Sequence, residues 1–300
     1  MKLGNNNNNQ IMAQFINEQK FSVSITSAID QLRSGQDYVC SGNGKDVITG
    51  ETFNWVMLND GHGTDSCINF IRNIPEETKS EFMGKEDPIL ALVQHIDESG
   101  CVEKSESSGA TAVIVKIYAD RAICINCGDS QFLVFKNEDL IHISKEHNGS
   151  NENEKERIIG LGHRFVPCKS IAVISEKEMM QTYAEYAVFY DKDFLGTTQA
   201  LGHNSKTGYA HDTFIINFEE GSSYRIMLGS DGVFDLTMLY NQNDIFNLRT
   251  KTSQEICDWI VGRWKQEWTG LVDGMEHFKF TYSNEQMDDV SVSVVEIKPI

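Results

Sequence analysis

The chain has 300 residues, 40% hydrophobic and 23% charged, a globular composition that argues against extended disorder. Surface scaling for that length has folding bury roughly 36,000 Å² against an extended chain, ample for a large core. Lys and Arg number 26 against 44 Asp and Glu, so the net charge of −18 works against nonspecific adhesion to nucleic acid or anionic lipid and leaves carboxylates available for cations.

Residues 1–10 carry an Asn run with no apolar segment, so a flexible tail is expected there and a secretory signal is not. Phe21, Val23 and Ile25 alternate with Ser and Thr, the period of a half-buried strand. Residues 53–58 are denser in apolar side chains and read as a strand buried on both faces. Residues 65–98 read as helical, broken at Pro75 and again at Pro88, with Leu90, Leu92, Val93 and Ile96 in the second part. Three strand runs follow at 111–118, 121–127 and 131–135, and spacing this close favours antiparallel hairpins over crossover connections. The longest apolar candidate, 112–125, is interrupted by Lys116, Asp120 and Arg121, so no membrane span is expected. Residues 145–156 are polar, a loop or an entry to a helix, and Asn148-Gly149-Ser150 within them reads as polar loop.

Residues 157–220 are the least legible, mixing short apolar pieces with Gly196, Gly202 and Gly208. A strand returns at 224–228, and 253–268 has helical spacing at Ile256, Trp259, Ile260 and Trp264, the tryptophans reading as core. The chain closes on an alternating strand at 290–295. No fixed-period repeat or Pro/Ser linker divides it, so residues 11–300 read as one domain. The seven cysteines, Cys40, Cys67, Cys101, Cys124, Cys127, Cys168 and Cys257, are odd in number and scattered, which predicts free thiols in a reducing compartment and a cytoplasmic location. Cys124 and Cys127 fall on one strand three residues apart, hence on opposite faces, which argues against a shared metal.

Three times an apolar strand runs into an aspartate. One leads to Asp60-Gly61-His62-Gly63, a second to Gly128-Asp129-Ser130, and a third through Gly229-Ser230 to Asp231-Gly232; Asp288-Asp289 precede the last strand. In an antiparallel sheet the end of one strand lies beside the start of the next, so four acidic stretches can meet on one rim. Each Asp-Gly taken alone is more often a hairpin turn, and Asp273-Gly274 reads as nothing more. The glycines flanking His62 raise the alternative, because they let backbone approach an ion and offer the Gly61 carbonyl as a ligand. Clustered carboxylates repel unless cations or protons neutralise them, and oxygen ligands suit Mg²⁺ or Mn²⁺. Two such ions sharing a carboxylate would hold a bridging water and make it a nucleophile, chemistry that suits phosphoryl transfer.

With these motifs in order, the chain resembles the metal-dependent protein phosphatases (the PPM, or type 2C, family). The quoted residues are Asp60-Gly61-His62-Gly63, Ser108-Gly109-Ala110-Thr111-Ala112, Gly128-Asp129-Ser130, Ser230-Asp231-Gly232-Val233-Phe234-Asp235 and Asp288-Asp289-Val290-Ser291-Val292. The last has Asp289 where the family has Asn. The resemblance implies an α+β fold of four layers, α-β-β-α, with a central antiparallel β-sandwich flanked by helix pairs and a flap around 145–220. It implies hydrolysis of phosphoserine and phosphothreonine in proteins by a metal-activated bridging water, without a phosphoenzyme. Asp60 would bridge two Mg²⁺ or Mn²⁺ ions, Gly61 would lend its carbonyl, and Asp231 and Asp288 would complete one ion. His62 would be the general acid, Asp129 would lie near an additional weaker ion, and Asp37 would order metal-bound water.

Two departures stand out. The position of the family's phosphate-binding arginine is Leu32, and Arg33, one residue late, is the candidate in its place. The flap motif S-R-A-x-G-D is here Thr198-Gln199-Ala200-Leu201-Gly202-His203, which undercuts the third metal, and His203 reads as a surface residue. The expected partner is a phosphoprotein substrate, with no nucleic acid or membrane, and the expected state is a monomer. A pseudophosphatase serving as a binding module is the alternative, resting on the displaced arginine and altered flap. A metal hydrolase of small phosphoesters is a third reading.

Overall fold

Alternation at the start of the chain buries Phe21, Val23 and Ile25 and turns Ser22 to solvent, which gives the first strand one face for a core. The computed structural model describes residues 20–103, 107–189, 193–203, 206–272 and 278–300; the Asn-rich tail and Asp273-Gly274 lie outside them. The first part of the chain forms β1 (Phe21–Asp30), β2 (Tyr38–Lys45), β3 (Thr52–Asn59), β4 (Gly61–His62), α1 (Ser66–Asn73), α2 (Glu76–Met83) and α3 (Pro88–Ser99). The middle forms β5 (Gly109–Ala110), β6 (Ala112–Ile117), β7 (Arg121–Cys127), β8 (Gln131–Lys136), β9 (Asp139–Ile143), α4 (Glu152–Gly160), β10 (Arg164–Ser175), β11 (Glu178–Phe189) and β12 (Asp193–Leu195). The last part forms β13 (Asp212–Asn217), β14 (Tyr224–Gly229), α5 (Asp231–Phe234), α6 (Gln242–Thr250), α7 (Ser253–Lys265), β15 (Trp268–Leu271), β16 (Phe278–Phe280) and β17 (Val290–Pro299).

Two antiparallel sheets make the centre, one ordered β1-β17-β14-β8-β9 and the other β13-β7-β6-β3-β2. Val23, Ile25, Val134, Ile226, Leu228 and Val295 of the first meet Val56, Leu58, Val113, Val115 and Cys124 of the second. The alternate residues Trp55, Met57 and Ile114 face the other way, under Ile68, Ile71, Ile89 and Leu92 of α1 and α3. Leu133, Met227, Val292 and Val294 are covered by Ile256, Ile260 and Trp264 of α7. These are the four layers expected from the sequence. They explain why β3 is apolar at consecutive positions, since each face has its own core. Cys124 packs between the sheets and Cys127 on the helix side, the opposite faces their spacing requires.

Local chemistry sets the helix limits. At α3, Asp87 accepts from the Leu90 N–H at 2.8 Å, Pro88 occupies the first turn, and Gly100 ends the helix at φ 65°. At α7, Thr252 and Glu255 form a reciprocal capping box.

One expectation is corrected here, and two stretches left open by the sequence take definite form. Strands β7 and β8 do not form a hairpin, since β8 pairs with β14 and β9 in the opposite sheet. Phe132 and Val134 of β8 are needed between the sheets, so Gly128-Asp129-Ser130 carries the chain across instead of folding it back. Gly128 has φ +120°, and a Cβ there would lie 2.6 Å from Thr111 Cβ. Asp231 does not sit in a hairpin turn; it is the first residue of helix α5. Residues 157–220 contribute most of a third sheet, β10-β11-β15-β16 with β12 on β11. Its β11 runs parallel to β15, through Glu178 opposite Thr269, so this region is tied to chain beyond α7.

Register places the acids. Gly229 lies opposite both Val292 and Gln131, so the chain leaving β14 emerges beside the entry to β17 and the turn before β8. Asp30 lies opposite Val290, and Tyr38 opposite Asn59. The segments around Asp37, Asp60, Asp129, Asp231 and Asp288 therefore share one rim of the sandwich.

Candidate active site

Asp60 sits between β3 and β4, held by its backbone. Its N–H donates to Thr111 Oγ1 at 3.1 Å, and its carbonyl accepts from the Thr111 N–H at 2.8 Å. Thr111 Oγ1 also shares a 2.7 Å hydrogen bond with Ser130 Oγ, which ties the turn carrying Asp129 to the one carrying Asp60. Ser108 accepts from the Cys67 N–H at 3.0 Å and donates to the Thr64 carbonyl at 2.6 Å, pinning the segment after His62. Gly63 adopts φ +73°, and a Cβ there would fall 1.5 Å from the Ser107 carbonyl oxygen. Only glycine fits that turn. At α5, the Trp264 indole N–H donates to the Gly232 carbonyl at 2.8 Å, so a core tryptophan fixes the residue after Asp231.

Loop 31–37 carries Arg33 and Asp37. Buried Asp289 accepts from the Arg33 N–H at 2.7 Å, the Ser34 hydroxyl at 2.7 Å and the Gln36 N–H at 2.9 Å. Arg33 is solvent-exposed, and its positive charge favours the ionised form of Asp288. The Arg72 guanidinium donates to the Asp37 carbonyl at 3.0 Å.

The carboxyls act on one another. Burial, then the charges of Asp231 and Asp37, hold Asp60 well above the ordinary carboxylate range. Burial lifts Asp129 likewise, with Asp231 and Glu146 adding to it. Burial pushes Asp37 up to about 8 against the Ser291 hydroxyl, and Asp231 and Asp289 push the same way. Asp288 is raised to about 7 by burial and by Asp231. Asp235 opens to solvent, yet its carboxyl, crowded by protein atoms and then by Asp231 and Glu146, is also held high. Such a set cannot be fully ionised at neutral pH without positive charge supplied to it.

Among the described residues, no three His, Cys, Asp or Glu side chains form a group able to hold a metal ion by themselves. The site still fits a hard, hydrated cation. Its candidate donors are all oxygen, the Gly61 carbonyl is one of them, and Asp37 Oδ2 is buried without a hydrogen-bond partner. Mg²⁺-like ions keep several waters and take only one or two carboxylates each, so a wide acidic bowl suits them better than a tight cage.

His62 ends β4, and burial lowers its imidazole to about 4. Its Nε2 lies 2.6 Å from Nε2 of His203. The sequence reading of His203 as a surface residue is corrected: it is 4% exposed and packs into the site. Glu146, Asp235 and Asp289 were also not singled out. Glu146 lies in a stretch that reads only as polar loop, whereas Asp235 and Asp289 stand inside motifs already quoted.

A family model described as Protein phosphatase 2C matches residues 58–177. Human Protein phosphatase 1B is 26% identical over 159 residues, 52% of this chain and 31% of that protein. Probable protein phosphatase 2C 68 of Oryza sativa subsp. japonica is 22% identical over 265 residues, 80% of this chain and 66% of that protein. The chain thus spans less than two thirds of these relatives. Among solved structures, a serine-threonine phosphatase 2C from Toxoplasma gondii matches with TM-score 0.58 and 12% identity, covering 96% of this chain and 98% of that one. A C. elegans sex determining protein matches with TM-score 0.58 and 18% identity, covering 91% and 64%. At these identities the structural likeness speaks for the fold.

Proposed function

We propose that the chain, whose residues 58–177 match the Protein phosphatase 2C family model, is a member of that family and that its acidic rim is the centre of a metal-dependent phosphatase acting on phosphoserine and phosphothreonine in proteins. The observation that carries this reading is the convergence of Asp60, Asp231 and Asp288, from three separate strand ends, into one mutually repelling set. Asp60, Asp231, Asp288 and the Gly61 carbonyl would hold two Mg²⁺ or Mn²⁺ ions, with Asp129 near a weaker third. When bound, such ions neutralise phosphate charge and make water a nucleophile at neutral pH. The protein supplies the rest. Asp37, behind the bowl, orients water. Arg33, on the loop clasped by Asp289, meets the phosphate, where a guanidinium offers paired donors. His62 gives a proton to the departing serine or threonine oxygen, whose alkoxide is a poor leaving group without it.

Free thiols at all seven cysteines favour a reducing, cytoplasmic setting. No helix among the described residues is long and apolar enough to cross a membrane. A monomer working on phosphoprotein substrates is the simplest state.

Turnover of a phosphothreonine peptide with Mn²⁺, set against EDTA and against Asp231→Asn, tests the proposal. Activity is expected with Mn²⁺ alone and is lost in both controls. Robust turnover in EDTA removes the mechanism. His62→Gln should slow the peptide more than p-nitrophenyl phosphate, whose leaving group needs little protonation; equal slowing removes the general-acid role.

A further inference from the structure

We propose that His147 is a positioning residue for Asp129: it binds both backbone groups of Gly128, ties that turn to the flap, and so fixes where the Asp129 carboxyl stands in the acidic bowl. The proposal rests on the reading of Asp129 as the residue near the weaker ion.

The need arises where the chain crosses between the sheets. Strand β7 ends at Cys127 and β8 begins at Gln131 in the opposite sheet, so Gly128 has no strand partner. A buried N–H or carbonyl left unpaired there costs stability and loosens the turn. His147 meets both. Its N–H donates to the Gly128 carbonyl at 3.0 Å, and its ring Nδ1 accepts from the Gly128 N–H at 3.0 Å. A backbone N–H can only donate, so Nδ1 is bare, and the hydrogen of the neutral imidazole is on Nε2. That nitrogen faces Asp212 Oδ2 of β13 at 3.4 Å. The side chain is fully enclosed, the residue being 2% exposed.

The same residue reaches the flap. The His147 carbonyl accepts from the Thr198 N–H at 2.7 Å, and the next residue, Asn148, forms a β-bridge with Thr197. On the other side of Asp129, the Ser130 hydroxyl is held by Thr111 at 2.7 Å. Asp129 therefore stands between two clasps, His147 on Gly128 and Thr111 on Ser130. It needs them, because the charges of Asp231 and Glu146 work against its own. The main-chain bonds of residue 147 would survive any side chain, so the part that calls for histidine is the acceptor at Nδ1. Groups that orient a metal-binding side chain from behind alter metal affinity by about 10- to 100-fold when removed.

Two measurements on the full chain test this. In the metal-free protein, long-range ¹H–¹⁵N correlation of the imidazole should show His147 protonated at Nε2 with Nδ1 bare; the opposite tautomer overturns the proposal. Mn²⁺ binding, followed by the paramagnetic resonance of the free ion, should show the weakest class of sites weakened about tenfold in His147→Ala and in His147→Gln, with the tighter ions unchanged. His147→Asn, whose amide oxygen can stand where Nδ1 stands, should recover most of that affinity, whereas the longer glutamine places its amide near Nε2. The asparagine and glutamine variants decide the matter if the alanine variant does not fold. Weakening of all ions alike, no weakening, or an asparagine variant no better than glutamine defeats the proposal. Asp129→Asn is the control and should abolish the weak class. If the parent lacks that class, or Asp129→Asn leaves it untouched, the reading beneath has failed and the proposal falls with it.

Discussion

Removing the Asp289 carboxylate tests how loop 31–37 is held. The side chain is 2% exposed and serves three donors, the N–H groups of Arg33 and Gln36 and the Ser34 hydroxyl. A hydrogen bond to a charged group contributes about 1.5–3 kcal/mol, and a buried donor left unpaired costs a similar amount. In Asp289→Ala the donors of exposed Arg33 and Ser34 recover water, but the amide of Gln36, a residue 7% exposed, keeps only its longer 3.3 Å bond to Ser34 Oγ. Relief of repulsion at Asp37 and Asp288 offsets part of the loss. The net expectation is destabilisation by about 2–3 kcal/mol, which lowers Tm by roughly 4–10 °C in a domain of this size. Asp289→Asn keeps one acceptor oxygen but turns an NH₂ toward a backbone N–H, so an intermediate loss of about 1–2 kcal/mol is expected. Urea denaturation of the metal-free protein measures both, with an unchanged m value as the control for two-state behaviour. Hydrogen exchange should quicken in loop 31–37 and stay slow in β14 and β17. An alanine variant within about 0.5 kcal/mol of the parent, or an asparagine variant weaker than alanine, refutes the reasoning.

Three other outcomes are expected. Arg263→Met strands Asp244, which it now meets through two bonds at 2.8 and 3.0 Å with both side chains buried, so denaturation should show a loss of about 3–5 kcal/mol; a loss under about 1 kcal/mol contradicts it. Asp60→Asn removes a carboxyl whose ionisation burial and its neighbours oppose, so thermal melting in EDTA should rise while the stabilisation by added Mn²⁺ disappears; a lower melting point in EDTA speaks against a repelling cluster. Gly109→Ala drives a methyl between the His62 and His203 imidazoles, and peptide turnover should fall about tenfold or more; full activity means that the pair does not matter to the chemistry.

Much of the sandwich was legible in the residues. Alternation at Phe21–Ile25 and at Val290–Val295, and the proline breaks at Pro75 and Pro88, mark their elements because burial period and backbone geometry are local properties. The strand-end acids were visible for the same reason. Other elements were not. Strand β2, which reads Tyr-Val-Cys-Ser-Gly-Asn-Gly-Lys, carries two glycines and no alternation; Gly42 and Gly44 lie against the Trp55 and Phe53 rings of β3, a cross-strand fit with no trace in the β2 pattern. The third sheet stayed hidden because its hairpin of β10 and β11 is half-exposed and offers few buried positions to mark a face, while its link to β15 lies far along the chain.

At the rim the same division holds. Sequence alone determined which residues are able to bind a hard ion or carry a proton, since that is a property of carboxylates, carbonyls and imidazoles. Tertiary structure decided which of them meet. Strand register brought Asp37 to Asp231, the clasp by Asp289 held Arg33 beside Asp288, and the docked flap set His203 against His62. Contacts between residues as far apart as His62 and His203 depend on how the sheets close and the flap docks. Those are properties of the packed chain as a whole, and no local window of residues contains them.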